Sequence, residues 1–262
     1  MKERIISAFV ALLITLPLLF LGGTYFDILV LVVGLLGLKE LLDLNKDIPI
    51  LVKYISYLLF GLLLIFGYTY TGRVILLNYS LVVISLLVLL TSMLVYNDSK
   101  RYSIEDVFYL LGSIILLSTA FSLFSIIRRS GLNYMVYLLL ITIMTDTFAY
   151  FIGRAFGKKK LMSLVSPNKT VEGFVGGLIF GTAIASMFYI FVIDSSRILP
   201  IILLTFILSI MGQVGDLVFS SIKRHYKIKD FSNIMPGHGG ILDRLDSIIF
   251  VLFTYIILTI VL

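Results

Sequence analysis

Residues 198–222 read ILPIILLTFILSIMGQVGDLVFSSI, and residues 223–246 continue KRHYKIKDFSNIMPGHGGILDRLD. The first stretch is 25 apolar-dominated residues with a single carboxylate, Asp216. As a helix rising about 1.5 Å per residue it is long enough to cross about 30 Å of hydrocarbon. The second stretch sets basic residues, a Pro236-Gly237-His238-Gly239-Gly240 turn and two carboxylates just before the next apolar run. Polar density of this kind beside an oily segment reads as chemistry performed where lipid meets water.

The rest of the chain agrees. Of 262 residues, 60% are hydrophobic and 14% are Asp, Glu, Lys or Arg, with a mean hydropathy of +1.09. Soluble domains sit near about 45–50% apolar and about 25% charged. The chain therefore reads as an all-α, polytopic integral membrane protein. Nine apolar segments of spanning length can be drawn, over 5–22, 26–42, 50–70, 74–96, 107–127, 134–156, 171–193, 198–222 and 244–262. The first follows Lys2 and Arg4 but has no small-residue cleavage site, and Pro17 to Phe20 continue it, so it reads as a retained helix. With no cysteine there are no disulfides and no thiolate metal ligands.

Orientation follows from the 21 Lys and Arg residues. With a cytoplasmic N-terminus, 17 of them fall at inside loops and helix ends, and only Arg73, Arg128, Arg129 and Arg197 fall outside. That imbalance is a positive-inside signal and, with an odd number of spans, puts the C-terminus outside. The net charge of +6 is then a matter of topology, with no need of a nucleic-acid partner.

The halves differ. Residues 1–130 keep their charges in connecting segments and read as scaffold helices without a buried ionisable group. Residues 131–262 read as the catalytic region, with carboxylates inside helices and two long cytoplasmic loops, 154–170 and 223–243. There is no internal repeat to divide the chain further.

Asp216 lies seven residues before Lys223, about 10 Å below the cytoplasmic helix end. A charge there costs at least about 2.5–3.5 kcal/mol, so it should face a watered cavity or a cationic partner. A structural pair with a lysine and a transporter's proton relay are the competing readings. Gly212 and Gly215, on or near its face, allow close helix approach or room for a ligand. Asp243 and Asp246, three apart at the mouth of the last segment, share a face. Two carboxylates on one helix and a third on another can surround a hard cation such as magnesium with oxygen. An acidic pair at a helix N-terminus can equally be a cap that complements the macrodipole. In the turn, Gly237, Gly239 and Gly240 permit positive φ and a concavity of backbone N–H groups that suits phosphate. His238 has no second histidine or cysteine at metal spacing and reads as a hydrogen-bond donor or a loop residue.

The earlier loop repeats the theme. Asp146, Tyr150 and Gly153 fall at i, i+4 and i+7, on one helix face. Lys158, Lys159 and Lys160 serve as a topological anchor, a contact for anionic lipid, or a phosphate site. Lys169 beside Thr170 at a helix start is the stronger phosphate candidate, because helix N–H groups reinforce its charge. Glu172 is either part of the site or a first-turn dipole partner.

At these positions the chain resembles the phosphatidate cytidylyltransferase family, the CDP-diacylglycerol synthases. The residues that carry the resemblance are Ser220, Lys223-Arg224, Lys229-Asp230, Pro236-Gly-His238-Gly239-Gly240 and Asp243-Arg244-Leu-Asp246, with the stretch from Asp146 to Gly173 as a second matching region. Met235 stands where the family usually has leucine, isoleucine or phenylalanine. The resemblance implies that CTP and phosphatidic acid give CDP-diacylglycerol and pyrophosphate, with magnesium, a second cation such as potassium, and a homodimer in the bacterial cytoplasmic (inner) membrane, its active site facing the cytoplasm. For that reaction Asp216 and Asp243 are the first choice of metal ligands and Asp246 the third, with Lys223, Arg224 and Lys169 as phosphate neutralisers. Asp146, Glu172, His238, Gly239, Gly240 and Arg244 complete the substrate-binding set. A lipid phosphate oxygen is already a nucleophile, so the protein need only neutralise and align two polyanions. Two alternatives stay open: a CTP-dependent enzyme acting on an isoprenoid lipid phosphate or a polyprenol, and a secondary transporter, although the inverted repeat and midplane site of the latter are not seen. A CDP-alcohol phosphotransferase is disfavoured, because its Asp-Gly-x-x-Ala-Arg start is absent.

Overall fold

The computed structural model describes residues 2–45, 47–71, 74–96, 102–237 and 239–261. Among them are nine helices: α1 (Lys2–Leu21), α2 (Gly23–Leu42), α3 (Ile50–Phe66), α4 (Tyr79–Val95), α5 (Ile104–Ser130), α6 (Leu132–Phe156), α7 (Val171–Val192), α8 (Ile198–His225) and α9 (Leu242–Val261). The protein is an all-α membrane protein. Four helices, α5 to α8, are long and apolar enough to cross a membrane, and shorter apolar helices lie at Phe9–Leu21, Ile50–Phe66 and Tyr79–Val95. Large apolar side chains stand exposed along them, such as Leu58, Leu87, Ile179 and Leu199, as lipid-facing surface requires.

Two places expected to be helix or loop are β-hairpins. The third and fourth apolar runs end and begin in antiparallel strands β1 (Tyr68–Thr71) and β2 (Val74–Leu77). Tyr68-Thr69-Tyr70-Thr71 alternates aromatic and β-branched residues, which favour a pleated ribbon, and Gly67 closes α3 by donating its N–H to the Leu63 carbonyl at 2.8 Å. The 154–170 loop is also shorter than expected. Helix α6 runs to Phe156, and β3 (Lys160–Met162) pairs antiparallel with β4 (Ser166–Thr170).

The chain divides into two compact units. The first comprises Met1–Ile126 with Phe231–Ile241, and the second Ile127–Asp230 with Leu242–Leu262. In the first, Phe60 on α3 and Phe121 on α5 are fully buried against α2. Gly34 makes that fit possible, since a Cβ there would lie 2.8 Å from the Phe60 ring. The expectation that the first half lacks a buried ionisable group is wrong: Glu40 on α2 is 1% exposed. Its Oε1 accepts from the Ser232 hydroxyl at 2.6 Å and from the Ile241 N–H at 2.7 Å. The segment 231–241 packs there, and Gly240 sits at its closest approach, where a Cβ would press on the Glu40 carboxylate. Gly237 and Gly239 take φ values of 74° and 84°, which only glycine adopts readily.

In the second unit, glycines govern helix spacing. Gly173, Gly177 and Gly181 recur every fourth residue on α7, and a Cβ at each would lie 2.6 Å from Ala149 O, 2.6 Å from Thr145 O and 2.3 Å from Thr145 Oγ1 respectively. This small-residue stripe brings the α7 backbone against α6, which is how helices pack where lipid removes the hydrophobic drive. Gly215 does the same for α8 on α9, with a virtual Cβ 2.7 Å from the Asp246 carbonyl. Hydroxyl pairs tie α6 to α8: Tyr137 to Thr205 and Thr145 to Ser209, both at 2.8 Å.

Candidate functional site

The second unit holds a cavity of about 570 Å³, lined at one end of its helices by the last turns of α6 and α8, the first turns of α7 and α9, and the β4 strand. Each wall has a local cause. Thr170 caps α7 by accepting from the Gly173 N–H at 3.1 Å, which fixes the residue before it, Lys169, at the helix mouth. Lys169 Nζ reaches Asp216 Oδ2 on α8 at 2.6 Å, and Ser220, one turn further along α8, donates to Asp216 Oδ1 at 3.2 Å. Helix α8 continues to His225, so Lys223 is a helical residue rather than part of a loop. Its Nζ lies 2.6 Å from Asp243 Oδ1 in the first turn of α9. Side chains in this second pair are only 9% and 3% exposed, against 28% and 27% for Lys169 and Asp216.

Asp246 is buried one turn further along α9, with Oδ1 accepting from the Ser247 N–H at 2.8 Å. The Ser247 hydroxyl in turn donates to Asp146 Oδ2 on α6 at 3.4 Å. Thus Asp146, Lys169, Asp216, Lys223, Asp243, Arg244 and Asp246, scattered across a hundred residues of sequence, line one cavity.

Other candidates are not among the lining residues. Arg224 is exposed and donates to the carbonyls of Val165 at 3.2 Å and Ile228 at 2.9 Å, so it braces the β3–β4 hairpin outside the cavity wall. Glu172 also stands outside it. Its carboxylate accepts the N–H groups of Lys158 at 3.0 Å and Lys159 at 3.2 Å, which closes the hairpin onto the start of α7. Gly239 and Gly240 belong to the first unit, and His238 lies outside the described residues.

The cavity also takes in groups outside the expected metal-ligand and substrate-binding sets. Gln213 lies three residues before Asp216, on its face of α8, and its amide donates to the Phe174 carbonyl on α7 at 3.2 Å. Its signal was an uncharged polar side chain inside an oily run. Asn168, Tyr150 and Asp230 line the wall too, as does Arg154, whose guanidinium donates to the Tyr150 hydroxyl at 3.2 Å.

Five carboxylates and four cationic side chains therefore surround the space, a formal balance of one negative charge. Such a wall can hold a polyanion on its lysines and arginines while its carboxylates take a hard cation through oxygen. Among the described residues no three acidic or imidazole groups already converge closely enough to hold an ion. Asp216 and Asp243 are each engaged by a lysine instead.

Comparison with known proteins gives this geometry a family. The model of the cytidylyltransferase family matches residues 2–262. The chain is 41% identical over 253 residues to a phosphatidate cytidylyltransferase of Staphylococcus haemolyticus, with 96% of each chain covered. It is likewise 41% identical over 260 residues to one of Staphylococcus aureus and 40% identical over 256 residues to one of Staphylococcus epidermidis, again with 96% of each covered. An all-α membrane protein with a charged cavity at one end of four helices, matched along nearly its whole length, this chain belongs to the cytidylyltransferase family and is a nucleotidyltransferase.

Proposed function

We propose that the protein transfers the cytidylyl group of CTP to phosphatidic acid. A phosphate oxygen of the lipid forms a bond to the α-phosphorus of CTP, the bond from that phosphorus to the β-phosphate oxygen breaks, and pyrophosphate leaves, giving CDP-diacylglycerol. The observation that carries this reading is the single cavity into which Lys169, Lys223, Arg244 and four membrane-edge carboxylates converge, in a chain 41% identical to proteins named for that reaction.

The chemistry asks for no protein nucleophile, since the lipid phosphate brings its own oxygen. What it asks for is charge neutralisation and alignment. Lys169 at the mouth of α7, reinforced by the N–H groups of the helix, takes up nucleotide phosphate, and Lys223 and Arg244 neutralise the opposite side. Asp216, Asp243 and Asp246 are an all-oxygen donor set of the kind magnesium takes. They would hold that ion, which when bound supplies charge neutralisation at the reacting phosphate. Because a wall with one net negative charge repels a bare nucleotide, an accompanying cation also fits the electrostatics of entry. For Asp216 and Asp243 to be free for a cation, Lys169 and Lys223 must turn to another anion, and substrate phosphates are that anion. Cytosolic CTP and an inner-leaflet lipid phosphate would meet here if the cavity faces the cytoplasm, which the 17-to-4 bias of Lys and Arg supports.

The test is purified protein with labelled CTP and a panel of lipid phosphates, following pyrophosphate release and lipid labelling. The expected result is magnesium-dependent labelling of phosphatidate that Asp216→Asn and Asp243→Asn each abolish while the protein stays folded. Labelling of an isoprenoid phosphate in place of phosphatidate would overturn the assignment.

A further inference from the structure

The cations that line the reaction cavity are not alike. Lys169 and Lys223 each close on a carboxylate at 2.6 Å. Arg154, in the last turn of α6, is exposed, and its guanidinium donates instead to a neutral group, the Tyr150 hydroxyl one turn back, at 3.2 Å. The Tyr150 ring is steadied in turn by an edge contact with Phe151, the two centroids 5.6 Å apart. Among the described residues no carboxylate forms an ion pair with Arg154. A guanidinium stays charged at any working pH and presents its donors as a planar fork, so an unbalanced one on a cavity wall suits a phosphate.

The place of Arg154 on α6 says which phosphate. At about 100° per residue, Ile143, Tyr150 and Arg154 fall within about 20° of one line along the helix. Ile143 is 55% exposed and takes no part in the cavity lining. The cavity residues Asp146, Ala149 and Gly153 lie to one side of that line, and Phe151, 59% exposed, lies to the other. Tyr150 and Arg154 thus form the margin of the cavity, on an edge of α6 that continues downward as lipid-facing surface. Arg154 stands about 16 Å above Ile143, close to the depth of one leaflet, about 15 Å. Exposed aromatic side chains at this level, Tyr150, Phe151 and Phe156, are of the kind found where headgroups begin.

We infer that Arg154, with the Tyr150 hydroxyl, is the docking point for the phosphomonoester headgroup of the lipid substrate. The inference rests on the lipid-phosphate reading above and adds to it which wall receives which polyanion. A lipid lying along this edge has its chains against Ile143 and its phosphate at the guanidinium, while Lys169, across the cavity on β4, is left to the nucleotide. A cation in the last turn of a helix also complements the macrodipole, and that role alone would leave the KM of both substrates unchanged.

The test uses the full chain in detergent, with dihexanoyl phosphatidate and CTP varied in turn. Arg154→Gln should raise KM for phosphatidate about ten- to hundredfold, the loss expected of a charge-assisted phosphate contact, and should move KM for CTP by less than about twofold. A rise confined to CTP, an equal rise for both, or no change in either overturns the assignment. Should Arg154→Gln not fold, the unaltered protein is treated with 4-hydroxyphenylglyoxal and the adduct at Arg154 is followed by peptide mass spectrometry. Slower modification with dihexanoyl phosphatidate, but with neither CTP nor the phosphodiester dihexanoyl phosphatidylglycerol, supports the site. Equal protection by the phosphodiester assigns Arg154 to bulk lipid, and protection by CTP alone assigns it to the nucleotide; either overturns the inference, as does no protection at all. If the unaltered protein turns over no lipid phosphate, the reaction reading fails by itself, because protection does not depend on turnover.

Discussion

Replacing Lys223 with methionine and Lys169 with methionine separates two ion pairs that look alike by distance alone. Both lysines lie 2.6 Å from their carboxylates, yet the Lys223–Asp243 side chains are 9% and 3% exposed, and those of Lys169–Asp216 are 28% and 27% exposed. Removing one member of a buried pair costs about 3–5 kcal/mol, chiefly because the partner's charge stays behind in a poor solvent. Asp243 has further interactions, so the low end applies. An open pair contributes about 0–1 kcal/mol, since water takes the place of the lost partner. At roughly 2–4 °C per kcal/mol for a chain of this size, Lys223→Met should lower the melting temperature by roughly 6–12 °C and Lys169→Met by less than about 4 °C. Both should cost turnover if both face phosphate. The assay is thermal unfolding in one detergent at fixed lipid content, with Asp243→Asn and the Lys223→Met/Asp243→Asn double variant completing a cycle. Recovery of stability in the double variant is expected, because no buried charge then remains without its partner. Equal melting temperatures for the two single lysine variants would refute the argument from burial.

At Gly177, alanine would set a methyl 2.6 Å from the Thr145 carbonyl, and backbone cannot yield, so Gly177→Ala should destabilise by about 1–3 kcal/mol in the same melting assay, whereas Gly112→Ala, with open space around it, should be neutral or better. Glu40→Ala strands the Ser232 hydroxyl and the Ile241 N–H, at about 1–3 kcal/mol for each group left unsatisfied; proteolysis of the 231–241 segment should increase, and a protection pattern like that of the unaltered chain would count against the contact. Single cysteines at Ser163 and Asn233, both exposed, should react with an impermeant maleimide from the cytoplasmic face only, and one at Ser195 from the outer face only; labelling of the first two from opposite sides would overturn the proposed topology.

Much of the second unit is legible in the sequence because membrane helices announce themselves by length and apolarity. The expected segments 134–156 and 171–193 differ from Leu132–Phe156 and Val171–Val192 by two residues or fewer at either end. The carboxylates are legible for a related reason: a charge in an oily run is costly, so Asp146 and Asp216 stand out before any contact is known. What escapes is whatever depends on a distant partner. Glu40 sits near a helix end among Lys39, Asp43 and Lys46 and looks like one more solvated charge, because Ser232 and Ile241 are some 200 residues away. Arg224 and Lys223 are adjacent and read alike, but one helical step of about 100° turns one to a hairpin carbonyl and the other to Asp243. The β1–β2 hairpin escapes because an average over hydropathy does not distinguish an alternating Tyr-Thr ribbon from a helix turn.

The excursion of residues 231–241 into the first unit has a bearing on how the molecule is assembled in time. Glu40 emerges from the ribosome nearly 200 residues before Ser232, so when the link between α8 and α9 is made its partner has already been synthesised. The chain crosses between the units three times, within α5 and at both ends of 231–241. A fragment of residues 127–262 made alone would carry Ser232 and the Ile241 N–H with no carboxylate to receive them.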